Sequence, residues 1–216
     1  MLTLVMIEKK PMKKLLIVGT GGIGTSMIDN LIPALRRVGG SVQMTLMDGD
    51  TVEASNLGHQ RFVEADIGLH KVDVLAERYH APENGIEVLG IAQNMRQAEQ
   101  LQGYDAIVVC VDRPEPRRLV HETKFPWADL RCSGDGWLVM TSQSNPLLVS
   151  SMTPDHEPKS CQVEGALDSG NLEFGFAVAA AHGAQWVFQL LRGLPSPTQS
   201  MGSLTYGALN FPEVSA

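Results

Sequence analysis

The stretch GTGGIG, Gly19 to Gly24, has the composition and spacing of a phosphate cradle. Glycines at Gly19, Gly21, Gly22 and Gly24 permit a tight turn and let backbone N–H groups and a helix N-terminus approach phosphate oxygens. The loop follows the apolar run KKLLIVG and precedes TSMIDNLIPALRRVG, a strand-then-helix context that points to a nucleotide without saying which one. Asp48 ends the next apolar run 24 residues after Gly24, near the distance at which a carboxylate receives ribose hydroxyls; within DGD it also reads as a turn residue. Asp112 ends the run AIVVCVD, where it reads either as a ligand-facing acid or as a cap for RPEPRRLV. Cys161 lies in the polar stretch TPDHEPKSCQVEGALDSGN, long enough for a functional loop, where a cation such as Lys159 would lower its pKa toward a nucleophilic thiolate. Cys110, alternating with apolar neighbours, reads as a packing residue.

These groups need elements to hold them. KKLLIVG and SVQMTLMDGD read as strands, TSMIDNLIPALRRVG and GLHKVDVLAERYHA as helices, IEVLGIAQ as a third strand, and AEQLQGYDAIVVCVDR as a short helix and a fourth strand. The order predicts an α/β fold: a Rossmann-like, doubly wound, mainly parallel sheet with helices on both faces and extra antiparallel strands in the C-terminal half. Ligands in such sheets gather at the carboxyl ends of the strands, so Gly19 to Gly24, Asp48 to Asn56 and Asp112 are expected together. Farther on, GWLVMTSQSNPLLVSSM gives short strand-like runs, FGFAVAAAHGAQWVFQLL an Ala-rich helix and SLTYGALNF a closing strand. Residues 1–216 read as a single nucleotide-binding domain, with 1–13 as a short N-terminal arm and 151–173 as a mobile crossover-type loop.

Composition narrows the partners. A net charge of -7, with no dense Lys/Arg stripe, argues against a nucleic-acid surface. Three cysteines without a CxxC fit a reducing compartment, so the expected location is cytoplasmic. The N-terminus places its apolar stretch before its basic residues, the reverse of a secretory signal. The segment from Phe174 to Leu191 carries His182, Gln185 and Gln189 and reads as a helix against a sheet, so no membrane partner is expected.

DGDTVEASNLGHQRFVEADIGLHK, residues 48–71, resembles the signature of the ThiF/MoeB/ubiquitin-activating-enzyme superfamily: D-x-D-x-V-x-x-S-N-L-x-R-Q, then D-I-G-x-x-K. VVCVDRPEPRR is similar to the family's strand-end aspartate followed by an arginine. SCQVEGALDSGNLEFGFAVAAAHGAQWVFQLLRG is similar to its C-x-x-x-G-V segment and the helix after it, and LTYGALNF to its closing strand. The resemblance covers residues 15–125 and 155–211. It implies MgATP-dependent adenylation of the C-terminal carboxylate of a ubiquitin-like or sulfur-carrier protein or peptide, with release of pyrophosphate.

By the same resemblance, Gly19, Gly21, Gly22 and Gly24 wrap the nucleotide, Asp48 holds the ribose and Asn56 contacts the phosphates. Lys71 stabilises charge on the transferring phosphate, Asp112 positions Mg2+, and Asp50, His59 and Arg61 complete the nucleotide-binding set. Carboxylate attack on a phosphate brings two anions together, so a cation, a metal and pre-aimed donors are the groups this chemistry needs. Cys161 matches a cysteine that ThiF-like members use in sulfur transfer and MoeB-like members do not need for adenylation. A homodimer is implied, with the Ala-rich helix and adjacent segments as its interface.

Three departures stand beside these matches. His59 occupies the place of the Arg in N-L-x-R-Q, with Arg61 two positions on. Fourteen residues precede Leu15, so the helical arm of MoeB-like members, which lends an arginine to the partner's site, is expected to be missing. The paired CxxC motif is absent, so no structural zinc is expected. A nucleotide- or partner-binding member of the same fold without catalysis is therefore the alternative reading. An NAD-dependent dehydrogenase is a third, disfavoured because the tyrosines supply no Tyr-x-x-x-Lys pair.

Overall fold

In a computed structural model, which describes residues 12–39, 41–157, 161–163 and 165–214, the first apolar run becomes β1 (Lys13–Val18) inside an eight-stranded sheet. Leu15 and Ile17 point into one core layer, Leu16 and Val18 into the other, and all are buried. That is the period-2 pattern of a strand covered on both faces. In chain order there follow α1 (Gly22–Val38), β2 (Val42–Met47), α2 (Lys71–Tyr79), β3 (Ile86–Ile91), β4 (Ala106–Val109), α3 (Pro114–His121) and β5 (Trp127–Ser133). After these come β6 (Gly136–Thr141), α4 (Pro146–Ser151), α5 (Ala166–Ser169), α6 (Gly175–Leu191), β7 (Gln199–Ser203) and β8 (Gly207–Ala208). The strand order is β3-β2-β1-β4-β5-β6-β7-β8, parallel from β3 to β5 and antiparallel from β5 to β8. The expected mainly parallel sheet with antiparallel additions is present.

Two layers cover the sheet. α1, α2 and α6 pack on the Leu15–Ile17 face, while Val120 of α3 and Val149 of α4 join the Leu16–Val18 face. α1 stops at Gly39, whose φ of 66° is left-handed and suits glycine, with Arg36 and Arg37 in the last turn facing the negative end of the helix dipole. Gly183 sets how close α6 comes: a Cβ there would run into the Leu130 side chain and reach 2.9 Å from the Met27 sulfur. Phe176, Ala179, Ala180, Ala184 and Val187 of α6 are thus spent on the chain's own core. Among the described residues no helix is long and apolar enough to cross a membrane.

Several elements differ from the sequence reading. α1 starts at Gly22 rather than Thr25, because the last two glycines of the loop already lie in its first turn. PLLVSS is helix α4, not a strand-like run: Pro146 occupies a first-turn position and Asn145 Oδ1 accepts the Leu147 N–H at 2.9 Å, start signals that override the apolar run. SLTYGALNF is a hairpin rather than one strand. β7 ends at Ser203, and the Asp135 carboxylate accepts the Ser203 hydroxyl at 2.6 Å and the Thr205 N–H at 2.9 Å before β8 returns. Within 151–173, Gly134 N–H donates to the Cys161 carbonyl at 3.1 Å, and Gln162 and Glu173 exchange bonds at 2.8 and 3.0 Å. Lys159 of that loop and residues 1–11 of the arm lie outside the described residues.

Candidate functional site

β1 and β4 are neighbours although β2 and β3 intervene in sequence, and at this reversal of strand order a cavity of about 860 Å³ opens at their carboxyl ends. Gly19, Gly21 and Gly22 line it. Gly19 has a φ of 98°, and Gly21 is the N-cap of α1 without any side-chain cap, which leaves the first N–H groups of the helix to an anion. Gly24 does not line the cavity. A Cβ there would run into the Gly19 carbonyl oxygen, so this glycine lets the helix close against its own loop.

Asp48 makes the turn and lines the cavity. One carboxylate oxygen accepts the Asp50 N–H at 2.9 Å, making the turn; the other accepts the Thr20 N–H at 2.7 Å and its hydroxyl at 2.9 Å, tying the end of β2 to the glycine loop. Lys71 opens α2 and is only 6% exposed, with its ammonium 3.2 Å from the carboxylate of the exposed Asp50. It is not a solvated surface lysine. An ammonium withdrawn from water needs a partner, and here the partner is on the solvent side. Asn56 closes a 3-10 turn, its Oδ1 accepting the Glu53 N–H at 3.0 Å, and its residue lines the cavity.

His59 also lines the cavity and is 7% exposed. Burial first, and then the Lys71 charge, hold its imidazole below the ordinary value, so it stays neutral where the family motif has a cation. Its buried Nδ1, and the Oε1 of Gln60 beside it, have no hydrogen-bond partner among the described residues. Arg61 does not take over the missing charge. It lies on the exposed outside, 3.2 Å from Asp29, its carbonyl accepts the Arg78 guanidinium, and it is absent from the cavity wall. Asp112 lines the cavity just beyond β4, and no hydrogen bond or ion pair engages its carboxylate among the described residues. It does not cap α3, whose N-cap is Arg113.

Residues that the motifs did not flag brace the β5 side of the cavity from behind and within its lining. Asp129 is wholly buried on β5, with one oxygen paired to Arg117 and the other accepting Arg131 at 2.6 Å and facing the His121 ring at 2.9 Å. Arg117 also donates to the Val111 carbonyl, next to Asp112, and Arg131 to the Met152 carbonyl and, at 2.7 Å, to the Thr153 hydroxyl. One carboxylate thus fastens the strand end that carries Asp112, the strand β5 and the foot of the Cys161 loop. Burial, and then the Arg131, Arg117 and Arg118 charges, push His121 down to about 3, so the ring is neutral near pH 7. The available signal was an acid inside the apolar strand WADL, opposite the pair Arg117–Arg118.

Cys110 is buried, pushed up to about 12 by burial first, and donates to the Gly19 carbonyl at 3.1 Å, which is the expected packing role. Cys161 is packed against the core rather than held out in a polar loop. A hydrogen bond from Cys132 and the Arg117 charge hold its pKa down, against burial.

Lys71, Arg96, Arg113, Arg117 and Arg131 line this cavity together with Asp48, Asp50, Asp112 and Glu115. The uncapped helix, the excess of cations over acids and the unpartnered His59 nitrogen fit a polyphosphate nucleotide. The unengaged Asp112 fits Mg2+, which binds through one or two carboxylates plus substrate phosphates. No group of three or more His, Cys, Asp or Glu that would hold a metal occurs among the described residues.

Known proteins resemble this chain in sequence and in fold. The chain is 30% identical over 114 residues to the adenylyltransferase and sulfurtransferase UBA4 of Yarrowia lipolytica, covering 51% of this chain and 28% of that protein. It is 30% identical over 113 residues to the NEDD8-activating enzyme E1 catalytic subunit of Saccharomyces cerevisiae, covering 51% and 36%. The chain therefore spans about a third or less of these relatives' length. Its fold superimposes on a crystal structure of E. coli MccB with ATP at a TM-score of 0.68 and 19% identity, covering 92% of this chain and 64% of that one. A structure of PaaA follows at 0.66 and 18%, covering 91% and 62%. The ThiF family itself matches residues 7–215, from before the glycine loop to beyond β8. The match runs through the glycine loop, α2 and the end of β4, and the chain belongs to the ThiF family.

Proposed function

We propose that the chain is an ATP-dependent adenylyltransferase acting on the C-terminal carboxylate of a ubiquitin-like or sulfur-carrier protein or peptide, in the cytoplasm and as a homodimer. The carboxylate attacks the α-phosphate, a P–O bond to the leaving pyrophosphate breaks, and an acyl adenylate forms. One observation carries the reading: the buried Lys71 ammonium, the uncapped N-terminus of α1 and the unengaged Asp112 carboxylate share one cavity.

Each residue has a physical task. The N–H groups at Gly21 and Gly22 bind phosphate oxygens, and the wall from Asp48 to Asn56 fixes the sugar and phosphates. Lys71 exchanges Asp50 for a phosphate oxygen and offsets the charge that builds as two anions meet. Asp112 would hold Mg2+, which when bound neutralises phosphate charge. Arg117 keeps the backbone beside Asp112 in place through the Val111 carbonyl. Cys161 then offers a thiolate to the activated carbonyl carbon, where a C–S bond forms and AMP leaves.

The neutral, buried His59 favours a second reading, a member that binds nucleotide or partner without turning over, because it removes one cation from the phosphate wall. ATP–pyrophosphate exchange with candidate carrier proteins or peptides separates the two. Carboxylate-dependent exchange, abolished in Lys71→Ala and Asp112→Ala, is the expected result. Nucleotide binding without any exchange would establish the binding-only reading instead. For the thiol, Cys161→Ala is expected to adenylate but not to pass the group on.

A further inference from the structure

The cavity floor carries chemistry that adenylation does not use. Cys132 lies at the end of β5 and Cys161 29 residues later in the chain, yet both line the cavity. The Cys132 sulfur is 4.0 Å from the Cys161 carbonyl oxygen, and Gly134, two residues beyond Cys132, holds that same carbonyl at 3.1 Å. The two cysteines are therefore held side by side through the Cys161 backbone, with the Cys132 thiol against its carbonyl. A hydrogen bond from Cys132, the Arg117 charge and the Ile23 N–H of the first turn of α1 favour the Cys161 thiolate, against burial and the Asp112 charge. A thiol at a helix N-terminus and near a guanidinium is the one that ionises. Cys132 moves the other way, its pKa raised by its bond to Cys161 and then by burial, so it keeps its proton. The third thiol, Cys110, donates to the carbonyls of Val18 at 3.5 Å and Gly19 at 3.1 Å and is turned toward the loop.

We propose that Cys132 and Cys161 form a reversible dithiol–disulfide pair, with Cys161 as the thiolate that meets hydrogen peroxide entering the cavity and Cys132 as the thiol that resolves it. In the first step the Cys161 sulfur attacks the peroxide, an S–O bond forms, the O–O bond breaks, and water leaves after taking a proton. In the second, the Cys132 sulfur attacks the sulfenic sulfur, the S–S bond forms and the S–O bond breaks. The hydroxide leaves as water with the Cys132 proton. The two thiols are oxidised by two electrons and the peroxide is reduced to two waters. The disulfide withdraws Cys161 from any transfer chemistry and links its loop covalently to β5. A dithiol reductant reverses it.

The test uses the full chain, reduced, treated with hydrogen peroxide and then alkylated. Mass spectrometry of non-reduced peptides is expected to show one cross-linked pair joining Cys132 to Cys161, lost on dithiothreitol treatment, with Cys110 alkylated only after unfolding. In Cys132→Ser, kept in the comparison by a circular dichroism spectrum matching the unaltered chain, the link vanishes and Cys161 proceeds to sulfinic acid. Cys132→Ala gives the same loss and guards against an effect of the serine hydroxyl. A link through Cys110, a link between chains, or Cys161 oxidised irreversibly at the same rate with and without Cys132 overturns the proposal. The readout is a covalent mass, so it fails or succeeds independently of ATP–pyrophosphate exchange.

Discussion

The two walls of the cavity are built on opposite plans. The wall beneath β1 and β2 draws Asp48, Asp50, Asn56, His59 and Lys71 from 24 consecutive residues, and its charges look outward: Lys71 is buried but its partner Asp50 is 65% exposed. The side at β5 has Arg117 and Arg131 lining the cavity and Asp129 behind them, and these charges are closed on one another around a carboxylate with no exposure at all. An exposed counterion can be displaced by a ligand, whereas a buried, mutually satisfied cluster is paid off only as a unit. The first wall is therefore built to bind and the second to hold.

The largest effect should come from breaking the holding wall. Asp129→Ala leaves Arg117 and Arg131 buried without their common partner, and urea unfolding is expected to show a loss of about 3–5 kcal/mol. Lys71→Ala in the binding wall should instead lower pyrophosphate exchange by about 10²–10³-fold, with an unfolding midpoint close to that of the unaltered chain. If Lys71→Ala unfolded as readily as Asp129→Ala, the distinction between the walls would collapse. Gly24→Ala sits between them: its methyl meets backbone rather than a side chain that can yield, so a cost of about 1–3 kcal/mol in stability is expected, with weaker nucleotide binding by calorimetry.

The pH dependence sharpens the comparison further. His121 has a folded pKa near 3 against 6.5 for the free side chain, so below pH 6.5 the unfolded chain binds a proton that the native one refuses. Stability is expected to fall as pH drops from 6.5 toward 3, and to fall less steeply in His121→Gln; an unchanged slope in that variant removes His121 from the effect. The smallest change should follow Arg61→Ala, an exposed pair partner whose loss is expected to cost under about 0.5 kcal/mol and leave nucleotide affinity intact. A clear loss of affinity would return Arg61 to the site.

What could be read from the sequence follows the same division. The glycine loop, Asp48, Asn56 and Lys71 are legible because their spacing is local and the turn, strand and helix that place them announce themselves in period and composition. Arg61 misled because two positions along an irregular segment turn a side chain to the other side. Asp129 left only a faint mark, an acid in the apolar run WADL, whose meaning appears once β5 is laid beside β4 and α3 covers it. α4 and the hairpin of β7 and β8 were misjudged where a cap and a turn carboxylate, each a matter of one side chain, overruled an apolar run.

Lys71 and Asp50 carry one more consequence. Before any phosphate arrives, the ammonium already has an anion against it, and that anion stands in water. Under the proposed function, nucleotide entry at this point is an exchange of counterions rather than the burial of a new charge. The lysine need not move, and the released Asp50 is rehydrated at once, so the ordering of the binding wall is complete before the substrate reaches it.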